Sequence, residues 1–331
     1  MVKTIESTVP IIDFGKFLNG SEAERKLIAG DMVKVMREVG FMYLVNHGIA
    51  QELINEMFAW SARFFALDEN NKNWCRHPED GAHHRGWSHV GKEKVSQMVF
   101  DRDLVKQLRR QPDVKESFDL GNENGYYSNI WPHDEDIPGF REFCNGFFAC
   151  EDHTAKQLLR AIALGLGLDE EYLLNFHKTS DNQLRLLHYP PTETLALQTG
   201  EKERIAAHTD FGTMTMLLQD SCGGLEVEDP HIPGLFIPAP YIPGSIILNT
   251  GDFLMRWSND VLKSTLHRVR APPIDSKTGL AQRRYSIPYF VGADKDVVVD
   301  CLPSCHSALN PKKYESISSR EYIAMRLRAT Y

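Results

Sequence analysis

The sequence lacks several features that mark extracellular and membrane proteins. Its 331 residues include six cysteines, and no two of them form a CxxC pair. Such sparse cysteines exclude a disulfide scaffold and favour a reducing compartment. No stretch approaches the roughly 18 apolar residues of a membrane span, and the N-terminal MVKTIESTVP has no apolar run of signal-peptide length. We therefore expect a cytoplasmic protein.

The sequence also has fewer basic residues than acidic residues. The chain has 37 Lys and Arg against 45 Asp and Glu, which gives a formal net charge of −8. This balance argues against nucleic acid or an anionic membrane as the main partner. The one basic cluster, at 106–110, is typical of a solvated helix face. We expect a small-molecule partner, and no pattern indicates an oligomeric state.

No repeat, low-complexity tract or linker divides the chain, so we predict a single domain over residues 1–331. The first half is predicted to be mainly helical, with loops around a short helix near 101–110 over residues 68–133. The predicted elements before residue 181 are short strands within 9–18 and 40–49 and helices over about 21–39, 51–65 and 140–164.

After residue 181, short strand-like runs alternate with turn clusters. The runs are QLRLLHYPP, TMTMLLQ, GLEVEDP, GSIILNTGD, STLHRVRAPP and RRYSIPYFV. Many short strands at this spacing predict a mainly β core of jelly-roll type, with N-terminal and C-terminal α-helices around it. We divide the domain into a helical region that wraps the core (1–181), the β core (182–300) and a C-terminal helical segment (301–331).

The segment AAHTDFGTMTMLLQD (206–220) places an imidazole and a carboxylate in a strand-like run. Residues i and i+2 share one face of a strand, so His208 and Asp210 are predicted to face inward with Met214, Met216 and Leu218. A buried carboxylate needs a partner. A metal ion at the end of a β-barrel would supply the missing positive charge.

A second strand-like segment, KSTLHRVRAPP, contributes His267. Two other His-x-acid pairs, at 77–79 and 133–135, lie in loop-like sequence instead. His208, Asp210 and His267, here called the triad, match the two-histidine, one-carboxylate set of non-haem Fe(II) enzymes, which leaves coordination positions open. Taken alone, His267 would suit a buried core histidine, and zinc or manganese would fit a similar site.

The later run RRYSIPYF places Arg284 and Ser286 on one strand face, with Phe290 further along it. An arginine fork can hold a carboxylate through two parallel hydrogen bonds, and a neighbouring hydroxyl adds a third. An isolated Arg-x-Ser would indicate only a surface arginine. Downstream of the triad, it favours an anion-binding site.

The order HTD, H and RYS, preceded by LLHYP, resembles the Fe(II)/2-oxoglutarate-dependent dioxygenases of the isopenicillin N synthase-like superfamily. The similarity extends over nearly the whole chain and includes VPIIDF, GFMYLVNHGI, DVKESFDLG and NTGDFLMRWSND. The segments NQLRLLHYPP, LLQDSCGGLEV and RWSNDVLKSTLHRV look most like fungal thymine-dioxygenase-type enzymes and oxygenases of secondary metabolism.

The resemblance implies a distorted double-stranded β-helix in which the triad binds Fe(II). It also implies that 2-oxoglutarate chelates the metal, that its remote carboxylate meets Arg284 and Ser286, and that Tyr189 hydrogen-bonds to it. Many plant members have Asn two residues before this tyrosine, whereas this chain has Leu187. One co-substrate contact is therefore missing or supplied elsewhere.

The implied activity is oxidation of a small aromatic or heterocyclic molecule by O₂, as hydroxylation or oxidative rearrangement, with release of succinate and CO₂. Nucleobase methyl oxidation and oxidation of a secondary metabolite both remain open. The alternatives are an oxoglutarate-independent iron oxidase of the same superfamily and a non-catalytic cupin-like binding protein. We expect substrate contacts from the loop HHRGWSH (83–89) and from Phe211, Phe290, Asn182 and Arg185.

Overall fold

The computed structural model describes residues 9–79, 84–92, 113–199, 202–270 and 279–330. Within these ranges it contains eight α-helices, and the three longest belong to the first half of the chain. Short 3₁₀ turns lie at Leu173–Phe176 and Pro303–Cys305. The helices are α1 (Gly15–Asn19), α2 (Glu22–Glu38), α3 (Gln51–Phe65), α4 (Glu69–Asn73), α5 (Phe140–Gly165), α6 (Thr194–Gln198), α7 (Asp252–Trp257) and α8 (Ser319–Thr330).

Sixteen strands lie in the described part of the chain. They are β1 (Ile11–Asp13), β2 (Phe41–Val45), β3 (Gly86–Ser88), β4 (Glu116–Gly121), β5 (Gln183–Tyr189), β6 (Thr192–Glu193), β7 (Ile205–His208), β8 (Met214–Gln219), β9 (Leu225–Glu228), β10 (Phe236–Pro238), β11 (Ser245–Thr250), β12 (His267–Val269), β13 (Leu280–Ala281), β14 (Arg284–Val291), β15 (Val298–Val299) and β16 (Ile317–Ser318). The larger sheet has the order β1-β2-β11-β8-β14-β5-β4-β3, and the smaller sheet has the order β10-β9-β12-β7.

The two sheets pack face to face. Tyr43 and Ile247 of the larger sheet form one apolar cluster with Val227 and Val269 of the smaller sheet. The opposite face of the larger sheet packs against α2, α3 and α5 in a second, larger core. Because successive strand residues point to opposite faces, strands such as β2, β5 and β11 contribute side chains to both cores. The predicted jelly-roll core with flanking helices is confirmed.

The long helices follow their sequence signals closely. At the start of α2, the Ser21 hydroxyl accepts a hydrogen bond from the Glu24 amide, and the Glu24 carboxylate accepts one from the Ser21 amide at 2.8 Å. This capping box satisfies two amides that the helix leaves unpaired. At the end of α5, a Cβ on Gly165 would lie 2.2 Å from the Ala29 carbonyl oxygen, so glycine lets α5 approach α2 closely.

The prediction of one strand over 206–220 is wrong. The segment forms β7 and β8, which belong to different sheets. Residues 209–213 between them are irregular, so the alternation of faces does not continue from one strand to the next. Thr215 and Leu217 face the cavity between the sheets, whereas Met214, Met216 and Leu218 pack toward the helices.

The loop assignment over 68–133 is also wrong, because α4, β3 and β4 lie there. Strand β4 is buried along its whole length although it contains Glu116 and Asp119. Lys72 pairs with Glu116 at 3.0 Å, and Arg185 pairs with Asp119 at 2.6 Å. These distant partners make the acidic residues compatible with burial. The predicted helix near 101–110 and its basic cluster (Lys106, Arg109, Arg110) lie outside the described residues.

Region 1–181 therefore does more than wrap the core, since β1 to β4 belong to the larger sheet. The division at residue 181 stays a prediction. All six cysteines are free, as their sparse spacing predicts. Among the described residues, no helix combines the length and the apolar character that crossing a membrane requires.

Glu151 on α5 is a carboxyl group buried in the helical core. It is 1% exposed, and its Oε2 has no hydrogen-bond partner. Burial raises the pKa of Glu151 to about 8 from an ordinary value of 4.5. The folded protein therefore retains a proton that the unfolded chain releases above pH 4.5. Stability is lost as pH rises from about 4.5 to about 8.

We expect Glu151→Gln to stabilise the protein by about 4 kcal/mol at pH 7.5, because the amide stays neutral and each of the roughly three pH units between 4.5 and 7.5 costs about 1.4 kcal/mol. Near pH 4 the two proteins should have similar stability. Thermal unfolding followed by circular dichroism at both pH values checks this. The matched control is Glu142→Gln, at an exposed position of the same helix. A stability difference that does not change with pH would contradict the prediction.

Candidate functional site

Two histidines face each other across neighbouring strands of the smaller sheet. His208 ends β7, His267 begins β12, and the two residues are paired in register. Their ring centroids are 4.2 Å apart. Asp210 follows in the irregular segment, where its Oδ1 lies 3.9 Å from His208 Nε2 and 3.7 Å from His267 Nε2. The structure thus brings the triad together.

Backbone carbonyls fix the tautomer of both histidines. His208 Nδ1 lies 2.9 Å from the Ala206 carbonyl oxygen, and His267 Nδ1 lies 3.3 Å from that of Thr265. A carbonyl oxygen can only accept, so each Nδ1 carries the hydrogen. Each Nε2 lone pair is then directed toward Asp210, which is the usual arrangement of a metal-binding histidine.

The surroundings of His208 and Asp210 shift their pKa values toward the protonation states that bind a metal. Burial, together with the neighbouring His267, lowers the pKa of His208 to about 3, so its ring is neutral near pH 7. Burial alone would raise the pKa of Asp210. The imidazoles and hydrogen bonds from Thr215 and Asn249 outweigh burial and hold that pKa below its ordinary value. Two imidazole nitrogens and a carboxylate oxygen within 4.8 Å of one another fit Fe(II) with open coordination positions.

Polar groups behind the triad hold Asp210 in place. Asn249 Nδ2 donates to Asp210 Oδ2 at 2.8 Å, which leaves Oδ1 toward the histidines. The Asp252 amide donates to the Asp210 carbonyl oxygen at 2.8 Å. The Asp252 carboxylate accepts from Thr209 at 2.8 Å and from Arg326 of α8. The C-terminal helix therefore supports the segment that holds the ligand.

This support was not predicted from the sequence, where its one signal is the segment NTGDF within the family resemblance. Two glycines allow close backbone approaches beside the triad. A Cβ on Gly212 would lie 2.6 Å from the Val291 carbonyl oxygen, and one on Gly251 would lie 2.1 Å from that of Gly212.

Arg284 and Ser286 lie side by side on the inner face of β14. The Arg284 side chain is 1% exposed, and its Nη1 donates to Ser286 Oγ at 2.9 Å. Its guanidinium carbon lies 5.0 Å from the ring centroid of Tyr189, its register partner on β5. Leu187 pairs with Ser286 and adds only apolar surface. Within the described ranges, no carboxylate forms an ion pair with Arg284.

A cavity of about 1080 Å³ between the sheets brings all the predicted site residues together. Part of the loop HHRGWSH also reaches it through His84 and Arg85, whereas His83 lies outside the described residues. The predicted residues that line the cavity are His208, Asp210, His267, Arg284, Ser286, Tyr189, Phe211, Phe290, Asn182 and Arg185.

The residues predicted to contact substrate differ in how many hydrogen bonds they already form with other residues of the protein. Phe211 and Phe290 are half-buried and line the cavity, and the Arg326 guanidinium carbon lies 4.4 Å from the ring centroid of Phe211. Asn182 Nδ2 donates to Asp152 at 3.0 Å and to the Tyr289 hydroxyl at 3.1 Å, so both of its amide hydrogens are in use. The Asn182 carbonyl oxygen also accepts from the backbone at 3.1 Å. The aromatic pair is thus the more available part of this wall.

Two family models match the chain. A model described as non-haem dioxygenase in morphine synthesis N-terminal matches residues 9–134. A model described as 2OG-Fe(II) oxygenase superfamily matches residues 180–293, which include the triad, Arg284 and Ser286. Together they cover well over half of the chain.

Two of the similar proteins are fungal dioxygenases or hydroxylases. The 2-oxoglutarate-dependent dioxygenase htyE of Aspergillus rugulosus is 37% identical over 98% of this chain and 99% of its own length. Proline hydroxylase buaE of Petromyces alliaceus is 39% identical over 97% of this chain and 98% of its own length.

Among solved structures, the thymine-7-hydroxylase of Neurospora crassa in complex with alpha-KG and thymine superposes with a TM-score of 0.88. It is 38% identical, and the match covers 98% of this chain and 97% of that one. The donor set of the triad, the two family models and the full-length relatives agree. The chain therefore belongs to the 2OG-Fe(II) oxygenase superfamily, as an enzyme that oxidises a small molecule with Fe(II), 2-oxoglutarate and O₂.

Proposed function

We propose that the enzyme oxidises a heterocyclic or aromatic small molecule that lies against Phe211 and Phe290, beside the triad. The observation that carries the proposal is that the triad, Arg284 and both rings open onto one cavity. The Neurospora complex contains thymine, and buaE is named a proline hydroxylase. Both compounds are rings, which supports a ring substrate here. The cytoplasm remains the predicted location.

In this proposal the triad holds Fe(II) through His208 Nε2, His267 Nε2 and an oxygen of Asp210. The bound iron and O₂ supply an oxidation in which 2-oxoglutarate becomes succinate and CO₂. The chain's own residues keep the ligands in their binding state. The carbonyl contacts orient the imidazoles, and the hydrogen bond from Asn249 keeps Asp210 anionic and fixed.

Arg284 would bind the carboxylate of 2-oxoglutarate that is remote from the iron. Its Nη2 is only weakly engaged, 3.5 Å from Gln219 Oε1, so it can turn to an incoming oxygen. The Ser286 hydroxyl would donate a second hydrogen bond, and the Tyr189 ring lies alongside. Apolar neighbours such as Leu187 exclude water and strengthen this ion pair.

The metal assignment is tested by removing one ligand at a time. His208→Ala, Asp210→Ala and His267→Ala should each abolish Fe(II) binding and turnover, while circular dichroism shows a retained fold. Metal analysis and succinate release provide the measurements. His133→Ala is the matched control, because His133 is an exposed member of another His-x-acid pair. Full activity of any triad variant under iron-limited conditions would refute the assignment.

The co-substrate assignment is tested at Arg284. Removing one partner of a buried charge pair costs on the order of 2–5 kcal/mol, so Arg284→Ala should raise the KM for 2-oxoglutarate at least about thirtyfold. Iron binding should hardly change. Arg284→Lys should recover only part of the affinity, since lysine lacks the fork. Arg283→Ala, at the exposed neighbouring position, is the control. Normal 2-oxoglutarate dependence of Arg284→Ala would place the carboxylate elsewhere.

The substrate assignment is tested at the two rings. Phe211→Ala and Phe290→Ala should each raise the KM for the primary substrate far more than the KM for 2-oxoglutarate, because each removes stacking surface. Both constants can be measured in one succinate-release assay. Phe236→Ala is the control, because Phe236 is half-buried but lies outside the cavity wall. Equal effects on both KM values would assign Phe211 and Phe290 to packing.

A further inference from the structure

Arg85 places a buried positive charge in the cavity wall. Its side chain is 4% exposed, its Nη1 donates to the His84 carbonyl oxygen at 2.6 Å, and its Nε has no hydrogen-bond partner. In the described part of the chain, no carboxylate forms an ion pair with Arg85. A buried charge normally has a counter-ion. The protein itself does not supply one to Arg85.

The nearby carboxylates are already engaged by other cations. Arg185 holds Asp119 through two hydrogen bonds of 2.6 and 3.0 Å. Lys295 pairs with Asp181 at 3.3 Å. Burial lowers the pKa of Arg85, and Asp119 and Asp181 offset only part of that effect. Among the described residues of this cluster, the cations Arg85, Arg185 and Lys295 therefore outnumber the carboxylates Asp119 and Asp181.

The absence of a side chain at Gly121 allows the position that the Arg85 guanidinium takes. The Arg85 guanidinium lies directly beside Gly121, the last residue of β4. A Cβ at Gly121 would fall 2.0 Å from Arg85 Nη2 and 2.4 Å from its guanidinium carbon. Any larger residue would therefore displace the guanidinium. Gly121 does not have a positive φ, so alanine can adopt its backbone conformation.

Strand register places Arg85 far from the co-substrate site. Gly121 pairs with Gln183, and Gln183 pairs with Phe290, so Arg85 lies beside the row that contains Phe290. Arg284 starts the same strand, six residues earlier. At roughly 3.3 Å per residue, the two rows are about 20 Å apart. A five-carbon diacid held at Arg284 cannot span that distance, so Arg85 is available to a different anion.

We infer that the substrate carries a carboxylate that pairs with Arg85 while its ring lies against Phe290. This inference rests on the proposed function, because it adds a charged group to the ring substrate proposed above. The free Nε and the adjacent Nη2 form one edge of the guanidinium fork, which is the edge that binds a carboxylate through two parallel hydrogen bonds.

The test compares acids with their own primary amides. Orotate and orotamide, nicotinate and nicotinamide, and L-proline and L-prolinamide serve as probes. Each is titrated into the full-length protein loaded with Mn(II) and 2-oxoglutarate, and binding is measured by calorimetry without turnover. We expect at least one acid to bind at least about tenfold more tightly than its amide, as a buried charge pair requires.

Two variants test whether Arg85 causes that preference. Arg85→Gln removes the charge, and Gly121→Ala keeps the charge but displaces the guanidinium. Both should reduce the preference for the acid at least about tenfold and leave the affinity for 2-oxoglutarate unchanged. Arg37→Gln, an equal charge change at an exposed position of α2, is the control and should keep the preference. Unchanged 2-oxoglutarate affinity also shows that each variant is folded.

The outcomes separate this inference from the proposed function. If amides bind as well as acids, the carboxylate assignment is wrong and the ring-binding proposal stands. If Arg85→Gln keeps the preference, Arg85 does not hold the carboxylate and its role is refuted. If no member of any pair binds, both are wrong. If Gly121→Ala abolishes the preference for acids and Arg85→Gln does not, another cation of the cluster binds the anion. This result would refute the role of Arg85.

Discussion

The antiparallel pairing of β7 with β12 is the interaction on which the site depends, because it places His208 directly opposite His267. The third ligand, Asp210, must reach them from a segment without regular structure. Backbone contacts with the start of α7 hold that segment, and Asn249 of the larger sheet holds its carboxylate. The metal site therefore requires both sheets in their packed positions. Loss of the contact between the sheets would separate the carboxylate from its support before it disturbed the pair of histidines.

Elements with strong local signals could be predicted from sequence alone. The capping box at Ser21 and the apolar periodicity of α3 identify helices, and apolar runs identify β5, β8, β11 and β14. Strand β4 could not be predicted in this way. Its Glu116 and Asp119 are typical of solvent-exposed sequence, and partners that are distant in the sequence, such as Lys72 and Arg185, make their burial possible. The prediction of one strand over 206–220 was wrong for another reason. A short irregular segment between β7 and β8 interrupts the alternation of side chains between the two faces of a strand.

The candidate site residues also differ in whether local sequence or distant contacts identify them. His208 and Asp210, like Arg284 and Ser286, lie two residues apart, so local spacing and family resemblance are enough to single them out. The groups that support them are far apart in sequence. Arg326 reaches Asp252 across more than 70 residues, and the position of Arg85 depends on a missing side chain at Gly121. Such roles become visible only when the fold brings the segments together.

Charge in the cavity differs in sign from charge on the whole chain. The formal net charge is −8, so the protein as a whole repels an approaching dicarboxylate. At physiological ionic strength this repulsion is screened beyond roughly 8 Å. Binding of anions must therefore depend on cations that are met at short range, inside the cavity. Arg284 at one end and Arg85 at the other are such cations, each buried and without an ion-pair partner in the described part of the chain. Because the surrounding apolar walls exclude water, each arginine attracts an anion far more strongly there than it would at the surface. The triad lies in the same cavity, so recognition of charge at its two ends would also determine which part of a bound molecule faces the metal.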